Sequence, residues 1–565
     1  MDSVNSFKGY GKVDELEEAA FRRKSRKRAI VLSISLLLLL LLIIGVVAAT
    51  LSHKKSTNKD SGDVAAAQVA AVKSICSVTQ YRESCISSLD SSNSTNPAKI
   101  FELSLMVAMD SLRKIANFSN TYADRAENNT LAKQALKICE SELNDAVQSL
   151  EDTISAVSGS GGGKKLSSRI DDLRTWLSAA STNQETCLEA LDEADAEFAA
   201  EIRDLMKNST EFASNSLAIA TKIVAVIGDF KIPSHRRLLG EVPEWVDRRM
   251  LQEIRPAPNV TVATDGSGNV RSVAEAVALV PKKSDARFVI YVKAGEYVEN
   301  IDMDKSCWNV MIYGDGKGVT VISGSRNFVD GTSTFSTATF AIAGRGFIAR
   351  DITFKNTAGA EKHQAVAFRS GSDESVYYRC SFNAFQDTLY PHSNRQFYRD
   401  CDVAGTIDFI FGNAAVVFQG CNIQPRQPMP NQFVTITAQG KIDPNQNTGI
   451  SIQRCTISPL GTLTAQTYLG RPWKNFSTTV IMETNIGGFL NPKGWISWVA
   501  NVDPPASIFY GEYRNSGLGS ATANRVMWAG YKPAMTPAEA SKYNVESLIQ
   551  GPSWLPSTNV AFQST

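Results

Sequence analysis

A short strand-like segment recurs through residues 350–457. Its copies read RDITF (350–354), YYRCSF (377–382), YRDCDV (398–403), FQGCNI (418–423) and IQRCTI (452–457). The cysteines at 380, 401 and 421 are 21 and 20 residues apart, which suits one coil of a parallel β-helix, and the 34-residue step to 455 needs an inserted loop. Equivalent positions of a solenoid stack. The repeat therefore favours a β-helix over a sandwich and places Cys401 and Cys421 close enough for a disulfide.

Two aspartates share one position in this repeat. Asp387 lies seven residues after Cys380, and Asp408 lies seven residues after Cys401. If the cysteines stack, the aspartates stack too, and because adjacent carboxyls cannot both ionise freely, one pKa must rise. Such a pair suits acid/base or nucleophilic chemistry. A single aspartate is usually a solvated turn residue, but the shared register and the apolar neighbours of Asp408 in GTIDFIFGNA favour a catalytic role.

Other catalytic arrangements are poorly represented. His363 and His392 are the only histidines after residue 252, and no GxSxG sequence occurs there, which disfavours a Ser–His–Asp hydrolase. We expect His392 to be a structural hydrogen-bonding residue. No cluster of metal-ligand residues is apparent, so we expect neither a metal nor another cofactor. The balance of 58 basic against 57 acidic residues excludes a strongly basic nucleic-acid-binding protein.

The chain's 565 residues exceed the size of one domain, and residues 64–229 differ in composition from the β-rich part. They contain one proline, Pro97, and apolar residues at helical spacing. The helical runs include 131–157, 169–180, 186–206 and 211–227. We expect an up-and-down helical bundle of the four-helix type, followed by an all-β domain over 256–565.

Four cysteines lie in the helical block: Cys76, Cys85, Cys139 and Cys187. An even number in an exported domain indicates two disulfides, although spacing alone allows three sets of pairings. A zinc site is less favoured, because the block contains neither a histidine nor a CxxC pair.

An uncharged apolar stretch of 23 residues occupies positions 29–51. It is long enough to cross a membrane and longer than the apolar core of a cleaved signal peptide. The basic sequence FRRKSRKR precedes it, so we expect residues 1–28 in the cytoplasm and everything after residue 51 on the other side. This pattern predicts a signal anchor and a single-pass membrane precursor in the secretory pathway.

Residues 230–255 form a proline-containing, charged linker between the two blocks. It contains two basic pairs, each followed by an apolar pair: Arg236, Arg237, Leu238 and Leu239, and then Arg248, Arg249, Met250 and Leu251. Exposed, extended backbone of this composition is readily cut by proteases. The repetition favours processing over an ordinary linker, with a mature chain that begins near Gln252.

The β-rich block closely resembles plant pectin methylesterases. The matching motifs are DGSG (265–268), HQAVAFR (363–369), QDTLY (386–390), GTIDFIFGNA (405–414) and LGRPW (469–473). This resemblance implies a right-handed parallel β-helix. The helical block resembles the pectin methylesterase inhibitor domain, and this implies the pairings Cys76–Cys85 and Cys139–Cys187. It also implies cleavage of the linker by a subtilisin-like protease.

The resemblance also implies catalytic roles. Asp408 would be the nucleophile, and Asp387 the general acid and then the base that activates water. Gln386 and Gln364 would donate hydrogen bonds to the tetrahedral oxyanion, and Arg471 would bind the Asp408 carboxylate.

Further positions would contact the substrate. Trp473 and Trp495 would offer flat faces to sugar rings, Thr334 matches a family substrate-contact position, and Phe411 would line the groove. We expect Trp498 and Trp528 to be core residues.

The implied reaction is hydrolysis of the methyl esters of pectin (homogalacturonan) to pectate and methanol during cell wall modification. The mature enzyme would be secreted to the cell wall, and separate inhibitor proteins are possible partners. The helical domain would inhibit the enzyme or assist its folding before cleavage. A β-helical pectate lyase or polygalacturonase remains an alternative, as does a main role for the helical block in capturing a partner esterase.

Overall fold

The computed structural model describes residues 61–116, 118–158, 169–228 and 256–565, and residues 68–565 form one compact unit. The segments 1–28, 29–51 and 230–255, to which the sequence assigns a cytoplasmic tail, an anchor and a processing linker, lie outside the described residues. Of the helices that are described, none is long and apolar enough to cross a membrane.

The N-terminal part of the described chain is helical. Its helices are α1 (Ser61–Cys76), α2 (Arg82–Ser88), α3 (Pro97–Ile115), α4 (Ser119–Tyr122), α5 (Thr130–Ser158), α6 (Ile170–Glu193) and α7 (Ala199–Gly228). The long helices contact one another in the cyclic order α3, α5, α6, α7. Each contributes a fully buried leucine to a shared core: Leu105, Leu143, Leu177 and Leu217. The amphipathic spacing of the sequence thus encloses a helical core that matches the expected helical domain.

The boundary between α6 and α7 differs from the sequence pattern, which predicts separate helices over 169–180 and 186–206. In the structure α6 continues to Glu193, and the chain turns at Asp195, whose φ is 46°. The Ala196 N–H donates to the Leu191 carbonyl, and the Asp195 N–H donates to that of Asp192. These bonds form a Schellman-type helix end. The helix stops there because its last carbonyls are satisfied by this turn.

Two disulfides join the helices. Cys76 pairs with Cys85 and connects α1 to α2, while Cys139 pairs with Cys187 and connects α5 to α6. These are the pairings implied by the resemblance to inhibitor domains, and the structure confirms them.

The rest of the described chain forms three parallel sheets. The first contains β1 (Val260–Val262), β2 (Phe288–Val292), β5 (Val310–Tyr313), β8 (Ile348–Arg350), β11 (Ser375–Tyr378), β14 (Arg395–Arg399), β17 (Ala415–Gln419), β20 (Gly449–Gln453), β23 (Thr478–Met482), β25 (Phe509–Tyr513) and β26 (Tyr531–Lys532). The second contains β4 (Ile301–Met303), β7 (Phe340–Ile342), β10 (Phe368–Ser370), β13 (Leu389–Pro391), β16 (Ile410–Gly412), β19 (Val434–Gln439) and β22 (Thr467–Pro472). The third contains β3 (Gly295–Val298), β6 (Thr320–Gly324), β9 (Thr353–Asn356), β12 (Ser381–Asn383), β15 (Asp402–Gly405), β18 (Asn422–Pro425), β21 (Thr456–Ile457) and β24 (Asn485–Ile486).

From β2 to β24, successive strands along the chain pass from one sheet to the next in a fixed order, so that each coil adds one strand to each of the three sheets. Equivalent residues of neighbouring coils then stack inside. The Tyr377 and Tyr398 rings stack with centroids 4.3 Å apart, and the Tyr398 and Phe418 rings stack at 4.6 Å. The expected β-helix is therefore present, with its repeat in the register that the sequence indicates. The short helices α8 (Val273–Ala278), α9 (Pro537–Ala540), α10 (Val545–Ile549) and α11 (Gly551–Trp554) flank it.

The predicted Cys401–Cys421 disulfide is wrong for this structure. The two cysteines do lie on adjacent coils, because the Cys401 N–H donates to the Cys421 sulfur at 3.4 Å. Both are free, buried thiols. The Cys401 thiol donates to the Tyr377 carbonyl and the Cys421 thiol to that of Tyr398. Each sulfur is thus satisfied by backbone of the preceding coil, and stacking alone does not oxidise the pair.

Candidate active site

A cavity of about 410 Å³ lies between the second sheet and helix α6. It brings together all but one of the residues to which the sequence assigns catalysis or substrate contact: Thr334, Gln364, Gln386, Asp387, Asp408, Phe411, Arg471 and Trp473. It also contains residues that the sequence did not single out for the site: Thr186, Glu189, Ala190, Asp192, Glu193, Ser333, Phe335, Tyr390, Ala438, Lys474 and Trp498.

The two aspartates occupy equivalent turns of consecutive coils. Asp387 precedes β13 and Asp408 precedes β16, and Leu389 pairs with Ile410 two residues further along each chain segment. Both aspartates have left-handed backbone, with φ of 60° and 50°. The Asp387 N–H donates to the Ile407 carbonyl at 3.0 Å. The stacking that the repeat predicts therefore places both carboxyls on one wall of the cavity.

Residues from two neighbouring coils bind the Asp408 carboxylate. The Arg471 guanidinium, at the end of β22, donates to both of its oxygens at 2.6–3.1 Å. The Thr435 hydroxyl, on β19, donates to Oδ1 at 2.6 Å and accepts from the Asp408 N–H at 2.8 Å. A bidentate, charge-assisted contact of this kind stabilises the anion and fixes its orientation. The expected role of Arg471 as the partner of Asp408 agrees with this geometry.

Asp387 has a different environment. Its side chain is buried, and burial raises its pKa well above the usual range. The neighbouring Asp408 raises that pKa further, and Arg471 opposes the shift. Within the described residues, no hydrogen bond reaches the Asp387 carboxyl. Asp387 thus favours the neutral acid, whereas the Asp408 carboxylate is bound by the Arg471 guanidinium.

Gln364 and Gln386 lie beside this pair. They form an isolated parallel bridge between adjacent coils, and the Ala365 N–H donates to the Gln386 carbonyl at 3.2 Å. Their side chains line the cavity without a hydrogen-bond partner among the described residues. Their amide groups are therefore available to a bound molecule, as an oxyanion site requires.

The tryptophans correct two expectations. Trp495 is fully buried, and its indole N–H donates to Glu512 inside the β-helix, so its predicted role as a face for sugar rings is wrong. Trp498, expected in the core, is 39% exposed and lines the cavity. Its ring lies 6.2 Å from that of Trp473, with Arg471 4.2 Å above it. Trp495 bridges Gly470 at the end of the sheet, whereas Trp498 lies beyond that bridge. Trp528 is buried, as expected.

Tyr390 and Phe335 complete the aromatic wall. Tyr390 follows Asp387 in the QDTLY motif and stacks on Phe411 at 4.2 Å. Phe335 meets Tyr390 edge-on and lies under the guanidinium of Arg369, 3.5 Å from its ring centre. The aromatic residue three positions after Asp387 was a usable sequence signal for Tyr390, since its coil is the one that carries the acid.

Helix α6 supplies the remaining wall of the cavity. The carboxylate of its last residue, Glu193, accepts hydrogen bonds from the Thr334 N–H and hydroxyl and from the Ser333 hydroxyl. Lys474 forms ion pairs with Glu185 and Glu189, each at 2.7 Å. These contacts join the helical domain to the groove of the β-helix.

Polar contacts continue on both sides of the cavity. The Thr186 hydroxyl lies 2.8 Å from Nε2 of His392, which gives that histidine the expected structural role. Gln134 of α5 donates to the Gly331 carbonyl and accepts from the Ser333 N–H. No group of three or more potential metal ligands is present in the part of the chain that the structure describes.

Comparisons with known proteins agree with this architecture. A family model described as Pectinesterase matches residues 259–552, and one described as Plant invertase/pectin methylesterase inhibitor matches residues 70–219. Pectinesterase 3 of Phaseolus vulgaris is 56% identical and Pectinesterase 1 of Arabidopsis thaliana 57% identical, each over 100% of both chains. The solved structure of pectin methylesterase from carrot is 51% identical, with a TM-score of 0.54, and covers 55% of this chain and 99% of its own. The chain therefore belongs to the pectinesterase family of carboxylic ester hydrolases and carries an N-terminal domain of the plant invertase/pectin methylesterase inhibitor family.

Proposed function

We propose that the enzyme hydrolyses the methyl esters of homogalacturonan, with Asp408 as nucleophile and Asp387 as acid and base. The observation that carries this proposal is the asymmetry of the stacked pair. Arg471 binds both oxygens of Asp408, whereas burial and the adjacent carboxyl raise the pKa of Asp387. A carboxylate nucleophile beside a protonated acid is what acyl transfer to an aspartate requires.

The reaction would proceed in two steps. An Asp408 oxygen attacks the ester carbonyl, the amides of Gln364 and Gln386 donate to the resulting oxyanion, and Asp387 protonates the departing methanol. The acyl–Asp408 intermediate is then attacked by a water molecule that Asp387, now ionised, deprotonates. Collapse of the second tetrahedral species releases the free galacturonate carboxyl and restores both aspartates. We place the sugar rings against Trp473, Phe411 and Thr334, because all three line the cavity.

The products test this function against the lyase and glycosidase alternatives. A chain with a site-specific protease sequence inserted into residues 230–255 is folded, cut, and incubated with highly methylated pectin. We expect methanol and new carboxyl groups without chain shortening. Depolymerisation by the wild-type enzyme would instead favour a lyase or a glycosidase. In a glycosidase the carboxyls of Asp387 and Asp408 would act on either side of the glycosidic bond.

We further propose that the helical domain, a four-helix bundle over residues 64–229, inhibits the β-helix domain over 256–565 before processing. The contacts of α6 support this proposal, because Glu193 binds Thr334, and Glu185 and Glu189 bind Lys474, at the cavity that holds both aspartates. A polymer chain and α6 would compete for the same wall. Methanol release before and after the cut tests it: equal rates would leave the helical domain with a folding role.

The processing and anchoring steps rest on segments outside the described residues. We propose that a subtilisin-like protease cuts after one of the basic pairs of the linker and that residues 29–51 anchor the precursor until then. The mature enzyme would be secreted to the cell wall. Replacing both pairs with alanine (Arg236, Arg237, Arg248 and Arg249) should retain the full-length chain in the secretory pathway. Mature enzyme in the wall of plants expressing that variant would contradict the processing proposal. The right-handed sense of the β-helix stays a prediction.

A further inference from the structure

Lys474 follows Trp473 at the rim of the active-site cavity. Its ammonium lies 2.7 Å from both Glu185 and Glu189, which are one helical turn apart on α6. Only 23% of the lysine side chain is exposed while α6 covers it. The ion pairs are therefore partly shielded from solvent, and each carboxylate comes from the helical domain.

The β-helix itself offers Lys474 no acid. Among the described residues, both carboxylates that pair with its ammonium belong to α6. Its closest β-helix feature is the Trp473 ring, whose centre lies 5.3 Å from the ammonium. Once α6 has left, the cavity rim would carry an unpaired cation beside a flat aromatic face. An unpaired lysine next to a proposed sugar-stacking ring is suited to a sugar carboxylate.

The other end of α6 shows the same relationship. Glu193, one turn beyond Glu189, binds the N–H and hydroxyl of Thr334, a proposed substrate contact. The helix thus presents three carboxylates, four residues apart, to groups that line the cavity. The substrate is a polymer whose every sugar carries a carboxyl, either free or methylated. The three glutamates of α6 therefore present carboxylates to the groove, as a polymer with unesterified carboxyl groups would.

From this arrangement we propose that Lys474 is a carboxylate-binding subsite that selects an unesterified galacturonate near the sugar whose ester is hydrolysed. Glu185 and Glu189 occupy this subsite in the uncut chain and are replaced by the substrate after processing. The inference rests on the proposed function and adds a preference to it. Lys474 would then strengthen the binding of a chain that carries a free carboxylate at this position.

The preference gives a kinetic signature. Lys474 would contribute only when the bound chain carries a free carboxylate at its subsite. Removing the charge should then raise KM for partly de-esterified oligogalacturonides roughly tenfold, the loss expected for one hydrogen bond to a charged group. The kcat should change little, because the lysine does not touch the reacting atoms. Fully methylated oligomers should show no change in either constant.

The experiment compares the wild-type enzyme with Lys474→Gln and Lys474→Arg, each folded as the full chain and then cut in the linker. Both substrates are assayed by methanol release at two salt concentrations. The arginine variant keeps the charge and should restore KM, and the wild-type preference should weaken at high salt. Lys542→Gln, at an exposed lysine outside the cavity, is the matched control.

Two outcomes would overturn the subsite, and a third would overturn the proposed function. Equal KM values for wild type and Lys474→Gln on partly de-esterified oligomers would overturn the subsite. Because both enzymes would still release methanol, the proposed esterase function would stand. A similar rise in KM on fully methylated oligomers would also overturn the subsite, because the lysine would then contribute to binding without recognising a carboxylate. Absence of methanol from every substrate with the wild-type enzyme would overturn the proposed function itself.

Discussion

Arg471 donates hydrogen bonds to both carboxylate oxygens of Asp408 from a position 63 residues further along the chain. The geometry depends on the planar guanidinium, since a lysine ammonium is a single point of charge. We expect Arg471→Gln to lower kcat by about 100-fold, because a charge-assisted hydrogen bond contributes roughly 1.5–3 kcal/mol. Arg471→Lys should retain part of the activity. Steady-state kinetics with a thermal unfolding curve check this, and a variant that keeps wild-type kcat would contradict the role of Arg471.

The two aspartates should respond differently to replacement by asparagine. Asp408→Asn removes the nucleophile and should abolish methanol release without unfolding the protein. Asp387→Asn removes the acid and should lower kcat by roughly 100- to 10,000-fold. Asp285→Asn, at a side chain that is 90% exposed, serves as the control. Retention of more than a tenth of wild-type activity by Asp408→Asn would rule out its assignment as nucleophile.

The protonation of Asp387 should appear in the pH profile. Burial and the adjacent Asp408 raise the pKa of this carboxyl, and the free enzyme must hold it protonated to release methanol. We therefore expect kcat/KM to fall as the pH rises through this raised pKa. An Arg471→Gln variant should move the fall to higher pH, because Arg471 opposes the shift. A basic limb that stays in place in that variant would argue for another acid.

Release of α6 should increase the activity of the uncut chain. Glu193→Ala removes the acceptor for the Thr334 N–H and the Ser333 hydroxyl. We expect methanol release by the full-length chain to rise at least severalfold, while the cut and separated enzyme is unaffected. Glu197→Gln, at an exposed glutamate of the same domain that pairs with Arg125, is the matched control. If the uncut Glu193→Ala variant released methanol no faster than the uncut Glu197→Gln control, α6 would not be the inhibitory element.

Docking of the helical domain should weaken as the pH rises. Glu142 is buried at the interface, 3.7 Å from His392, and burial raises its pKa to about 8 from the usual 4.5. A raised carboxyl pKa means that the docked state binds protons. The contribution of Glu142 to docking is therefore fully present below about pH 4.5 and is lost progressively up to about pH 8, by up to about 1.4 kcal/mol per pH unit.

The groups around Glu142 set the limits of this effect. Arg369 and Lys305 attract its carboxylate, and Asp145 and Asp302 repel it. Burial lowers the pKa of His392 to about 3, so that this ring stays neutral throughout the window. Separation of the two cut fragments by size-exclusion chromatography at pH 5 and pH 8 measures the effect. Glu142→Gln should flatten the dependence, and an equally steep dependence in that variant would assign it to other groups.

Replacement of Trp498 should affect substrate binding, whereas replacement of Trp495 should affect stability. Trp498→Ala removes the ring that stacks near Trp473 and lies under the Arg471 guanidinium, so we expect a several-fold rise in KM with a small change in unfolding temperature. Trp495→Ala empties a fully buried site, and such losses cost roughly 3–5 kcal/mol. Titration with pectin fragments and thermal unfolding check both. Equal effects of the two variants on KM would contradict the placement of Trp498 in the cavity and of Trp495 in the interior of the β-helix.

Much of the catalytic pair could be predicted because a solenoid turns sequence spacing into spatial contact. Two aspartates at the same distance after stacked cysteines must lie on neighbouring coils, and the structure places them there. The same rule failed for Cys401 and Cys421, since stacking supplies proximity but not oxidation. The roles of Trp495 and Trp498 were exchanged because they lie only three residues apart in the irregular segment between β24 and β25, where no strand periodicity tells inward from outward side chains.

The contacts of α6 had no usable signal in the sequence. Glu185, Glu189 and Glu193 lie four residues apart on an amphipathic helix, a spacing that is equally typical of a solvated face. Lys474 and Thr334 are well over a hundred residues away along the chain. Only the docking of two separately cored domains brings these groups together. The predicted boundaries between the helices over 169–180 and 186–206 were wrong. The turn at Asp195, which ends α6, has no glycine or proline that would mark it in the sequence.

Both disulfides join cysteines within the helical domain, so the described contacts between that domain and the β-helix are noncovalent. While the linker is intact, α6 and the groove meet at an effective concentration fixed by the tether, which reaches the millimolar range for short flexible links. Cutting the linker replaces that value with the actual concentration of fragments. The onset of activity would then depend on dilution as well as on proteolysis: a precursor cut in a crowded vesicle could stay inhibited until its fragments disperse.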